Sequence, residues 1–428
     1  MRKRICIALF AFFLLLSSCG TLEPIAETEV VSETKNTASV PQVKNPLTWE
    51  KIRSIPIAQE EMTSAELRKI CTDFMRLQLT FEWTPSADLE YTLAARNKPM
   101  AFYRGRVYGG LPYRSFNANG NLYTAMEFYD PETGVLDGGN YRGNDLAGVI
   151  GNDCASAPFW AWNRVINSNR NFKDFTTESG FTNTGLIPAN NLLPVGGYDT
   201  ISTGTWNDGH GTLAVCQSNG EQKMYEAYAC LLPADGILHY YPAGGGPLNE
   251  VNHLMMCSSE ATVVRKENGT IDGEKSFVTI LDQESNLTTV RHETGSVHYQ
   301  GGVDVPFTFA ELFRQNYIPF TFAEFLGQDP VEPAEARLIC NGDPALFENL
   351  KSANVTANYA ISHIKISFFE ENGDLRHSYS IRPTLLNTRT QSLEKLMLPS
   401  IGFYADSKTP CRIEVRLGSG HLLSFAPP

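Results

Sequence analysis

Beyond its first nineteen residues the chain has no apolar run of the roughly 20 residues that a membrane-spanning helix needs. It carries nine cysteines, but none in the close pairs of a zinc site, and their scatter is unlike a small disulfide framework. His239, His292, His298, His363, His377 and His421 show no metal-ligand spacing either. Gly244-Gly245-Gly246 lacks the following Lys-Ser/Thr of a phosphate loop, so no cofactor and no metal are expected. Basic residues are the minority as well: the formal charge is −12, which argues against nucleic acid and mildly favours a neutral or cationic substrate.

What is present begins at the N-terminus. Arg2-Lys3-Arg4 is a basic start, residues 5–16 are an apolar run too short to span a bilayer, and Ser17-Ser18 precede Cys19, the pattern of a cleaved export signal. Leu16-Ser17-Ser18-Cys19 resembles the lipobox of bacterial lipoproteins. That resemblance implies residues 1–19 as a signal ending at a lipidated Cys19, an anchor on the extracytoplasmic face of the membrane, and a place in the cell envelope. Loss of Arg2, Lys3 and Arg4 takes the charge to −15. Residues 20–48, rich in Thr, Glu, Val, Ser, Asn and Pro without period, read as a disordered tether. With Cys6 removed and Cys19 lipidated, Cys71, Cys154, Cys216, Cys230, Cys257, Cys340 and Cys411 remain, an odd number that leaves at least one unpaired.

Composition past the tether is that of a globular chain, with 42% hydrophobic and 19% charged residues overall. Thr63-Ser64-Ala65-Glu66 predicts a capped helix to about Phe81, with Leu67, Ile70, Phe74, Leu77 and Phe81 at helical spacing. A second amphipathic helix is expected over residues 221–232. The period then shortens: 236–241, 253–257, 261–265 and 276–282 read as strands of an antiparallel sheet, with Asn268-Gly269 at a hairpin. Phe307-Thr308-Phe309-Ala310-Glu311-Leu312 and Phe320-Thr321-Phe322-Ala323-Glu324-Phe325 read as two short helices. The expected fold class is α+β, with a first domain over 49–328, a linker at Gln328-Asp329-Pro330-Val331-Glu332-Pro333, and a small β-sandwich over 334–428.

One stretch carries chemistry. In Gly151-Asn152-Asp153-Cys154-Ala155-Ser156 a polar turn runs into the apolar Ala157-Pro158-Phe159-Trp160-Ala161-Trp162, which puts a thiol at a helix start, where unpaired N–H groups favour a thiolate. A thiol nucleophile needs an imidazole to take its proton, and the imidazole needs a partner to hold its tautomer. His253, in Asn252-His253-Leu254-Met255-Met256, begins a strand; Val278-Thr279-Ile280-Leu281-Asp282-Gln283 is read as a strand ending in an acid and an amide. His210, in Gly209-His210-Gly211-Thr212-Leu213-Ala214-Val215, also leads into an apolar run read as a strand, with Glu226 downstream. Motif context and Asp282 favour His253, whereas spacing from Cys154 favours His210.

The order Asn152-Asp153-Cys154-Ala155-Ser156, then Leu232-Pro233-Ala234-Asp235, then Asn252-His253, then Leu281-Asp282-Gln283 resembles the papain-like cell-wall cysteine peptidases of the NlpC type and their CHAP relatives. The resemblance implies a papain-like domain, helices packed on an antiparallel sheet, acting as a cysteine peptidase or amidase on peptidoglycan peptides. It implies Cys154 as nucleophile, His253 as general base and Asp282 as its orienting residue, with Gln283 assisting or touching substrate. Tyr113, in Leu111-Pro112-Tyr113, resembles the family tyrosine that lines the substrate cleft. Two other readings stay open: a thiol-dependent acyl or amide transferase, and a non-catalytic envelope-binding lipoprotein on the same scaffold, to which Ala155 after the thiol points.

Overall fold

The computed structural model describes residues 42–93, 98–114, 120–139, 143–167, 192–201, 211–241, 252–292, 295–383, 385–394 and 408–425. The signal, Cys19, most of the tether, His210 and the 244–246 glycines lie outside the described residues. Among the described residues no helix is long and apolar enough to cross a membrane.

The fold is α+β. Its nine described helices are α1 Trp49–Ser54, α2 Ser64–Thr80, α3 Leu122–Met126, α4 Gly143–Ile150, α5 Ser156–Trp162, α6 Gly211–Asn219, α7 Glu221–Tyr228, α8 Phe309–Arg314 and α9 Phe347–Leu350. The main sheet is built from β1 Glu82–Pro85, β4 Val107–Gly109, β5 Tyr129–Asp130, β6 Val135–Leu136, β7 Leu192–Pro194, β8 Gly236–His239, β9 His253–Cys257, β10 Phe277–His292, β11 Gly295–Thr308 and β12 Ile318–Phe322. These ten strands run in the order β5-β6-β1-β4-β11-β10-β9-β8-β12-β7. β2 Leu89–Leu93 and β3 Lys98–Phe102 form a separate hairpin. The sheet is mixed rather than purely antiparallel, because β11 pairs β4 and β1 pairs β6 in parallel.

Local chemistry explains most elements. α2 starts where the sequence says it should: the Thr63 side chain accepts from the Glu66 N–H while Glu66 reaches back to the Thr63 N–H. Its buried face packs on α5, β10 and β11. β8 and β12 are buried along their whole lengths, so they read as continuous apolar runs without alternation. Asn268-Gly269 does make a tight turn, with the Lys266 N–H donating to Thr270 O (2.8 Å) and Gly269 at φ +83.

Several expectations need correction. Residues 211–219 are helical, not a strand: Gly211, Thr212, Val215 and Cys216 are buried at helical spacing, a pattern that a short apolar run does not separate from a strand. Residues 261–265 form only isolated bridges, and β10 runs on to His292 instead of ending at Asp282. The two Phe-Thr-Phe-Ala segments also diverge. Thr308 caps α8 through Glu311, whereas Thr321 lies in β12, paired to Leu193, and is followed only by a short 3-10 turn. Tertiary pairing overrides a nearly identical local sequence there.

Two apolar clusters divide the described chain. The larger runs from Leu47 to Val331 and takes in Ala360; the smaller spans Phe347 to Leu417. Around the smaller one lie a three-stranded antiparallel sheet of Ala336–Ile339, Asn354–Ala357 and Thr390–Ser392, and a four-stranded one of Leu375–Ile381, Ile361–Phe369, Cys411–Leu417 and Leu422–Phe425. Residues 41–428 nevertheless form one compact unit. The Tyr359 hydroxyl donates to Glu332 O (2.8 Å) and Val165 O (3.3 Å), and the Ser362 hydroxyl donates to Asn121 Oδ1 (3.0 Å).

Candidate thiol–imidazole site

Cys154 stands at the first turn of α5. Asp153 Oδ1 accepts from the N–H groups of Ala155 (3.1 Å) and Ser156 (2.8 Å), while the Ser156 hydroxyl oxygen accepts from the Asp153 N–H (2.8 Å). This reciprocal pair, together with the Ala157 N–H on Asp153 O (3.0 Å), makes Asp153 the effective N-cap and Cys154 the first helical residue. Burial pushes the Asp153 carboxyl above its ordinary range, against the hydrogen bonds from Ser156 and Ala155. Pro158 has no N–H to offer the Cys154 carbonyl four residues back. The rest of α5, from Ala157 through Trp162, is buried, and the Trp162 indole N–H donates to Ala234 O (2.8 Å).

The imidazole comes from the sheet. His253 opens β9, and the pairing of Leu281 with Met256 sets β10 beside it. By that antiparallel register Asp282 is a diagonal, same-face neighbour of His253, within reach of a long side chain. His253 Nε2 lies 2.9 Å from Asp282 Oδ1, and the two side chains keep 20% and 13% exposure. With Nε2 on the carboxylate, Nδ1 is the ring nitrogen left for the thiol. Cys154 Sγ sits 3.9 Å from the carbonyl of Asn252, the residue before His253, which places the thiol beside the imidazole. Burial pulls the His253 imidazole down, but Asp282 foremost, with Tyr317 and Cys154, outweighs it and holds the group well above its ordinary value.

The structure thus brings Cys154, His253 and Asp282 together. Glu226 is engaged elsewhere, in a two-pronged pair with Arg265 at 2.9 and 3.0 Å. Tyr113 is 6% exposed and next to the nucleophile segment: it bridges Asn152 in parallel, its N–H donates to Gln300 Oε1 (2.6 Å), and its carbonyl accepts from the Tyr91 hydroxyl (2.5 Å). Gln283 is fully buried, which removes it from direct contact with substrate. Its Nε2 donates to Leu111 O and to Asn152 Oδ1, both at 2.9 Å. Among the described residues no group of three or more His, Cys, Asp or Glu could hold a metal ion.

Sequence reasoning missed several participants. His239 pairs directly opposite His253 across β8 and β9, and Tyr317 lies edge-on to the His253 ring and tilted against that of His239. Neither has a local signature, because strand register brings them in. Asn252 accepts from the Tyr241 N–H at Oδ1 (2.8 Å) and so fixes the start of β9. Gln78 had a readable signal: it stands four residues past Phe74 on the apolar stripe of α2, and a polar group on such a stripe needs a partner. Comparison with protein-family models, with curated proteins and with solved structures found no match to this chain.

Proposed function

We propose that the chain is a cysteine hydrolase that cleaves amide bonds in peptidoglycan peptides at the cell envelope, tethered by a lipid on Cys19. One observation carries the chemistry: a thiol at a helix start, its Sγ 3.9 Å from the carbonyl of Asn252, stands beside the next residue's imidazole, whose Nε2 is 2.9 Å from a carboxylate. The finer fold reading is a papain-like domain followed by a β-sandwich. It is supported by the chain order of thiol helix, imidazole strand and acid strand, and by the packing of α5 against β9.

In the proposed cycle the Cys154 proton passes to His253 and the sulfur attacks the carbonyl carbon of the amide. The oxyanion so formed is met by the N–H of Cys154, which at the first helical position has no intrahelical partner. Collapse breaks the C–N bond, and His253 returns the proton to the departing amine. Water, deprotonated by His253, then attacks the thioester; the acid leaves and the thiol is restored. Asp282 stabilises the imidazolium that exists between these transfers.

The test is digestion of purified peptidoglycan by wild type and Cys154→Ala, with new amine and carboxyl ends measured. Release by wild type alone supports the proposal. Equal release by both proteins, or none by either, overturns it, and transfer of the acyl group to an added amine in preference to water replaces hydrolase by transferase.

A further inference from the structure

The two halves of the site are joined by a second route that makes no use of the thiol or the imidazole. Asn152 is two residues before Cys154, and Gln283 directly follows Asp282. Between them runs a chain of side-chain amides, each donating to the next. Gln283 Nε2 donates to Asn152 Oδ1 (2.9 Å), Asn152 Nδ2 to Gln78 Oε1 (3.2 Å), and Gln78 Nε2 to the carbonyl of Ala157 (2.9 Å) in the first turn of α5. Gln78, Asn152 and Gln283 are all at 0% exposure.

We propose that Gln78, Asn152 and Gln283 are positioning residues, a buried amide relay that locks the turn carrying Cys154 to the strand carrying Asp282 and so sets the spacing of thiol and imidazole. The proposal rests on the reading of Cys154 and His253 as a working pair. The links close into a ring: Cys154 Sγ meets the carbonyl of Asn252, Asn252 is bonded to His253, His253 meets Asp282, Asp282 is bonded to Gln283, Gln283 holds Asn152, and Asn152 is two residues from Cys154. A closed ring leaves none of its members free to drift alone. The relay is also directional, N–H to oxygen at each step, so rotating any one amide breaks the contacts on both of its sides. Gln78 and Gln283 bracket the thiol, one grasping the chain at Ala157 and the other at Asn152. Backbone contacts reinforce the second grip, with the Asn152 N–H on Pro112 O (3.1 Å) and the Arg114 N–H on Asn152 O (2.7 Å).

Stability alone does not account for the relay. Gln283 Oε1 is buried with no hydrogen-bond partner among the described residues, an arrangement that costs free energy and that a leucine would avoid. The polar groups instead do what apolar ones cannot, which is to fix one orientation across three separate elements.

The experiment uses the full chain and reads iodoacetamide alkylation of Cys154 across about pH 5 to 9 by peptide mass spectrometry, with exposed Cys230 as internal standard. Gln283→Leu and Gln78→Leu are each expected to slow Cys154 alkylation near pH 6 about tenfold or more, moving its acid limb toward that of Cys230. The double variant is expected to be no slower than the worse single one, because both cut the same relay. A lowered melting temperature with an unchanged Cys154 profile overturns the proposal. Should either leucine variant not fold, Asn152→Asp keeps the acceptor for Gln283 but loses the donor to Gln78, and the same displacement is expected, an unchanged profile again overturning the relay. Failure of the underlying reading looks different. In that case wild-type Cys154 alkylates like Cys230 and His253→Ala changes nothing, which removes the relay with it.

Discussion

Replacing Asp282 by Asn removes a charge and almost nothing else, so it isolates what the carboxylate does for His253. An opposite unit charge at 2.9 Å is worth about 6 kcal/mol at an effective dielectric of about 20. The 20% and 13% residual exposure of the two side chains lets solvent screen part of this, and Asn retains a hydrogen-bonding group, so about 1.5–3 kcal/mol is the expected loss. At about 1.4 kcal/mol per factor of ten, Cys154 alkylation near pH 6 should fall about ten- to one-hundred-fold. The sign for stability follows from the raised His253 value. Its contribution is fully present below the unfolded value of about 6.5 and is lost as pH rises through the folded one. Urea denaturation of Asp282→Asn should therefore show its largest deficit below about pH 6.5 and a narrowing gap at higher pH. An alkylation profile identical to wild type, or a stability deficit that grows with pH, would refute the reasoning.

Four further outcomes are expected. Arg68→Ala leaves the Asp235 carboxylate, 2.7 Å away and buried with it, without its cation, and should cost about 3–5 kcal/mol in denaturant titration. Asp153→Ala takes the cap from α5 and should cost about 1–2 kcal/mol, with Cys154 alkylation slowed in the folded protein. His363 is pushed down to about 3 by burial, then by Arg416, Arg382 and Lys365, so it binds its proton in the unfolded chain first; stability should fall by about 1.4 kcal/mol per pH unit between about pH 6 and 4, and His363→Gln should flatten that slope. Gly301→Ala should cost about 2 kcal/mol or more, measured by thermal melting, because at φ +89 a Cβ would stand 2.0 Å from Asp282 O.

Much of this architecture was legible because it is local. The Thr63 and Glu66 pair announced α2, the turn before Ala157 announced α5, and β-branched and apolar runs announced β8, β9 and the first part of β10. Cys154, His253 and Asp282 could be chosen because each stands where an element begins or changes. What escaped is non-local. The parallel partners of β1 and β4 depend on which distant segment returns, and α6 reads as a strand in sequence because a run of four apolar residues, Leu213 to Cys216, suits either period. Gln283 was expected to face substrate, since nothing near it in sequence reveals that Asn152 lies 2.9 Å away.

The same distinction explains how adjacent residues come to serve both halves of the site. In a regular strand Asp282 and Gln283 would point to opposite faces. β10 is not regular there: Asp282 pairs with Gly302, and the next pair is Leu287 with Gln300, so four residues on one strand answer to the single Gly301 on the other. Such a break re-aims side chains and bends the strand. On its β10 side Gln283 grasps Leu111 O, and on its β11 side Gln300 accepts from the Tyr113 N–H, so the break grips both ends of the 111–113 turn that bridges Asn152. Gly301 makes the crowding possible, with its left-handed backbone lying against the Asp282 carbonyl. The β9 register sets the acid against His253, and the irregularity that no period in the sequence announced then aims the amide, one residue later, at the turn bearing the thiol.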